Sequence, residues 1–115
     1  MARMKSSPPS RYQEAKARYP EVLSSYESFG AAIERAGPLS RREQRLVKLG
    51  LAFGARMEGA AHSAVRKALD AGLSPEELEH AALLSMSTLG FPNGIAFLGW
   101  VEDVTGKMKK QMGKK

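Results

Sequence analysis

The chain has 115 residues, 43% hydrophobic and 26% charged, with no cysteine and a net charge of +6. That length allows one domain with a modest core, and the composition is that of an ordinary globular protein. The missing cysteine excludes disulfides, thiolate nucleophiles and cysteine-based metal sites. No run approaches the ~18 apolar residues of a membrane span, and no apolar stretch follows Arg3 and Lys5 as a secretory signal requires. The expectation is a cytoplasmic protein with no membrane partner.

The charge sits at the two ends. Residues 1–18 carry five bases and one acid, residues 105–115 five lysines and no acid, and the segment between them eight bases and eleven acids. The sequence therefore divides into a basic, partly disordered lead-in (1–18), a folded domain (19–106) and a basic C-terminal tail (107–115). Basic tails can contact phosphates, but these lack interleaved aromatics or a reading motif. They are read as solvated or loosely helical segments rather than nucleic-acid arms.

Ser-Ser-Pro-Pro-Ser opens the chain as a turn-rich segment, and Tyr12 to Arg18 can form a short helix. Pro20 suits a first helical turn; Val22, Leu23, Tyr26, Phe29 and Ile33 then follow helical spacing until Gly37-Pro38. Ser40 and Glu43 form a capping box for a helix with Leu46, Leu49, Gly50 and Phe53 on its face. Gly50 and Gly54, one turn apart, predict a tight helix crossing or a bend before Met57.

The stretch Arg56 to Leu69, read at about 100° per residue, sorts into three stripes. Met57, Ala60, Ala61, Ala64, Ala68 and Ala71 make a small-residue face. Glu58, His62, Val65 and Leu69 lie beside it, and Gly59, Ser63, Arg66, Lys67 and Asp70 form the polar back. Gly72 stops this helix, and Ser74-Pro75-Glu76-Glu77 is a second capping box. The helix it opens carries Leu78, Ala81, Ala82, Ser85 and Leu89 inward and breaks at Gly90-Phe91-Pro92. A last helix, from about Asn93 past Val104, is apolar on two sides, which predicts self-association. Met57, Met86 and Met108 are expected to fill irregular space on or beside buried faces. Nothing alternates as a strand does, so the fold class is an all-α bundle of about six helices.

With the helices in order, YPEVL, AGPLSRREQRLVKLGLAFGAR, EGAAHSAVRKALDAGLSPEELEHAALLS and TLGFP resemble the carboxymuconolactone decarboxylase family, in particular its alkylhydroperoxidase D-like branch. The resemblance covers roughly Tyr19 to Val104 and implies a homotrimer or homohexamer. Active members of that branch carry C-x-x-C-x-x-x-H on the central helix and a glutamate about twelve residues upstream. Aligning on Val65-Arg66-Lys67-Ala68-Leu69 puts Met57 and Ala60 at the cysteine positions, Ala64 at the histidine and Arg45 at the glutamate. The decarboxylase branch also tends to have its histidine where Ala64 stands. A methionine and an alanine form no disulfide and no thiolate, so the thiol mechanism is excluded for this chain.

The remaining candidate catalytic residues are Glu58 and His62, whose i, i+4 spacing permits a carboxylate to orient an imidazole for acid–base work on a small organic acid, lactone or peroxide. The plainer reading of the same pair is a helix-surface or subunit-interface ion pair. A non-catalytic oligomer holding a ligand in the former active-site pocket is the alternative function, and a nucleic-acid-associated oligomer with multiplied tails a third. No cofactor is expected. Nor is a metal: His62 and His80 fall on different helices, and Glu58 with His62 supplies two ligands where catalytic zinc usually takes three. Ser63 is expected to point away from His62 on the polar back.

Overall fold

The computed structural model describes residues 10–113, with side chains through Gly106. The described chain is six helices joined by short turns: α1 (Ser10–Arg18), α2 (Pro20–Arg35), α3 (Arg41–Gly54), α4 (Glu58–Asp70), α5 (Pro75–Leu89) and α6 (Phe91–Gly113). No strand occurs among the described residues. The opening turn-rich residues 6–9 and the burial of Met108 lie outside what is described.

Local chemistry sets the helix starts. Ser40 Oγ accepts from the Glu43 amide at 3.1 Å while Glu43 returns a carboxylate to the Ser40 amide at 2.8 Å. Ser74 and Glu77 repeat this reciprocal bond at the head of α5, and both glutamates are held below their ordinary range chiefly by the backbone N–H of the capping serine. Gly72 (φ 99°) and Gly90 (φ 100°) end α4 and α5 in backbone conformations that favour glycine.

The core is built by α3 to α6. Leu49 and Phe53 meet Ala61, Val65, Ala68 and Leu69 of α4, then Leu78 and Ala82 of α5 and Phe97, Val101 and Val104 of α6. Phe53 and Phe97 stack with ring centroids 4.7 Å apart and planes inclined by 2°. α5 and α6 pack closely at Gly94, where an added Cβ would lie 3.3 Å from the Met86 backbone and against its side chain.

The two glycines of α3 make no close crossing within the chain, and only Gly54 adjoins a turn. A Cβ at Gly50 or Gly54 meets nothing within 4 Å, and the helix stops at Gly54. Arg56, at φ 55°, then reverses the chain into α4. Its guanidinium lies over the Phe97 and Trp100 rings, 5.9 and 5.8 Å from their centroids, and donates to the Asn93 side chain.

α1 and α2 form a separate hairpin. Tyr12 and Lys16 of α1 both bond Glu27 of α2, and neither helix has a buried residue. Val22, Tyr26, Phe29 and Ile33 of α2 are exposed, as are Leu46, Val47 and Leu51 of α3. Met57, expected on or beside a buried face, is also exposed, because α4 turns Ala61, Val65, Ala68 and Leu69 inward instead.

Candidate functional site

Two groups of functional side chains lie on opposite flanks of α4. The first is a cavity of about 210 Å3 bounded by α2, α3 and α4. Ala52, Ala60 and Ala64 line it with methyl groups only, which leaves room that larger side chains would fill. Its other lining residues are Tyr26, Arg45, Lys48, Ser63 and Lys67, so three basic and two hydroxyl-bearing residues border one space, with no acidic residue among the described lining.

Arg45 is the most enclosed of the three cations, its side chain 12% exposed, with Nη2 bonded to Glu34 Oε2 at 3.1 Å. Its Nε is buried with no acceptor among the described residues. Gln44, one residue earlier, donates to the carbonyls of Glu34 and Leu39, tying the end of α2 to the start of α3. Burial, then the charges of Arg45 and Lys48, hold the Lys67 ammonium below the ordinary lysine range. Ser63 and Lys67, assigned from sequence to a polar back, therefore share a cavity wall with Ala60 and Ala64.

The second group contains the expected pair. Glu58 opens α4 and His62 follows one turn later, but Glu58 Oε2 stands 3.8 Å from His62 Nε2, beyond hydrogen-bond length. The closer partner of His62 is Asp103 on α6, at 3.0 Å from Nε2, which spacing on one helix could not reveal. The side chains of Glu58 and Asp103 are 57% and 52% exposed and that of His62 26%. One ligand atom from each of the three lies within 4.8 Å of the others. Both carboxylates approach Nε2, and Asp103 alone is close enough to orient the imidazole by a hydrogen bond. Neither Glu58 nor His62 lines the α2–α3–α4 cavity.

The family model of the carboxymuconolactone decarboxylase family matches residues 20–103, most of the described fold, and the chain belongs to that family. No curated protein and no solved structure matches the chain. Within this family the chain is one without cysteine; Arg45, Ala60 and Ala64 line the α2–α3–α4 cavity and Met57 does not. No described helix is long and apolar enough to cross a membrane.

Proposed function

We propose that this chain is a ligand-binding member of the carboxymuconolactone decarboxylase family, in which the pocket beside α4 has kept its place and lost its thiol chemistry. The observation that carries this reading is the coincidence of Arg45, Ala60 and Ala64 with the walls of one cavity. A binding role suits residues that neither attack nor transfer electrons: alanines shape the space and fixed polar groups select what enters it.

The binding unit is a homo-oligomer on this reading, a trimer or hexamer as the family resemblance implies. Support comes from α2, whose apolar stripe from Val22 to Ile33 buries nothing within one chain and continues over Leu46, Val47 and Leu51 of α3. Tyr26 belongs to both the stripe and the cavity wall, so a neighbouring subunit on α2 would narrow the pocket mouth.

Mass spectrometry under native and then denaturing conditions tests the proposal, alongside an Ala60→Phe variant that fills the cavity. A small molecule released from the wild-type oligomer and missing from the variant is the expected result. Turnover of an organic hydroperoxide at a rate typical of thiol peroxidases would overturn it.

A second reading, acid–base catalysis by Glu58 and His62, is favoured by the 3.0 Å contact that lets Asp103 hold the ring. On this reading His62→Ala and Asp103→Asn both lower turnover of a lactone or organic acid, His62→Ala the more. Equal turnover in wild type and both variants would dismiss it.

A further inference from the structure

We infer that the ligand of the α2–α3–α4 cavity is a small oxyanion carrying two or more negative charges, gripped by Arg45, Lys48 and Lys67. This inference rests on the binding role proposed above and adds the chemical class of what is bound.

Charge balance is the first support. Three cationic side chains from two adjacent helices line a single cavity. Glu34 bonds Arg45 Nη2 but is absent from the lining, so among the described lining residues there are three cations and no carboxylate. Like charges this close repel one another, and a dianion between them turns the repulsion into attraction. Burial lowers the Lys67 pKa most, and the neighbouring charges of Arg45 and Lys48 lower it further.

Hydrogen bonding is the second. Arg45 borders the cavity with its side chain 12% exposed and its Nη2 on Glu34, and an oxyanion oxygen is the partner a guanidinium binds most strongly. Tyr26 and Ser63, which carry hydroxyls, line the same space. A neutral apolar ligand would leave the cations unmet. Phosphoryl groups and short dicarboxylates share the required chemistry.

Calorimetric titration of the full chain at constant ionic strength tests this with pyrophosphate, succinate and the uncharged dimethyl succinate. The expected result is saturable binding of at least one dianionic probe and none of the diester. Arg45→Gln and Lys67→Met should each weaken that binding tenfold or more, while Lys114→Gln/Lys115→Gln leaves it unchanged. Tighter pyrophosphate identifies a phosphoryl ligand and tighter succinate a dicarboxylate; both support the inference. Lys67 lies at a partly open position, so Lys67→Met keeps the test decisive should Arg45→Gln fail to fold. Dianion binding undiminished in the folded variants would overturn the inference. So would binding of the diester alone, lost in Ala60→Phe, although that result leaves the binding role standing. Absence of any binding sensitive to Ala60→Phe, for charged and uncharged probes alike, removes both.

Discussion

Phe97 and Phe29 both sit on apolar helical stripes, yet Phe97 is fully buried and Phe29 largely exposed. The contrast extends to their surroundings. α3 to α6 close on one another around the Phe53–Phe97 stack, whereas α1 and α2 hold each other by polar contacts at Glu27 and leave their apolar side uncovered. A periodic stripe states that a face is suited to burial; it does not state what buries it. In α6 the cover is α3, α4 and α5 of the same chain. For α2 the proposed cover is another subunit.

The comparison can be broken most directly at Phe97. Phe97→Ala removes half of the stack and should lower the unfolding free energy by about 3–5 kcal/mol in urea titration. A loss below about 1 kcal/mol would place the stabilising core elsewhere. Gly94→Ala should be next, at about 1–3 kcal/mol, because its Cβ enters the Met86 contact between α5 and α6. Gly50→Ala sharpens the contrast: with nothing within 4 Å in one chain, the fold alone predicts a gain of up to about 1 kcal/mol. A loss there instead would mean that a second subunit lies against α3.

Smaller effects are expected at the capping boxes. Ser74→Ala should lower stability by about 1 kcal/mol through loss of its bond from the Glu77 amide. Because the Glu77 carboxyl titrates below its ordinary value of 4.5, its contribution is complete above that pH and fades as pH falls through the lowered value. Thermal melts from neutral to acid pH should therefore fall more steeply for wild type than for Glu77→Gln. The smallest change in the fold itself should follow Phe29→Ser with Ile33→Ser, within about 0.5 kcal/mol for an isolated chain. Sedimentation should nevertheless show that double variant as a smaller species. An unchanged sedimentation coefficient would remove α2 from the assembly contact.

What the sequence disclosed was local. Both capping boxes, Gly72 and the six-helix order are written in residues three or four apart, and the structure carries each of them. Contacts across helices were out of reach. Asp103 is 41 residues from His62, and only the packing of α4 on α6 brings them together. Ser63 and Lys67 looked like solvent-facing polar residues because helical spacing gives each an angle but not a neighbour; α3 supplies Arg45 and Lys48 opposite them. Met57 misled for the same reason, its apolar character matching a stripe that α4 does not turn inward.

Arg56 joins the cavity's two long walls and lies across the indole of Trp100, the chain's one tryptophan. A shift in the angle between α3 and α4 must therefore be transmitted to the electric field at that ring. The molecule in this way carries a built-in optical reporter: emission excited from Trp100 should change in colour or yield as the cavity fills, with no label attached.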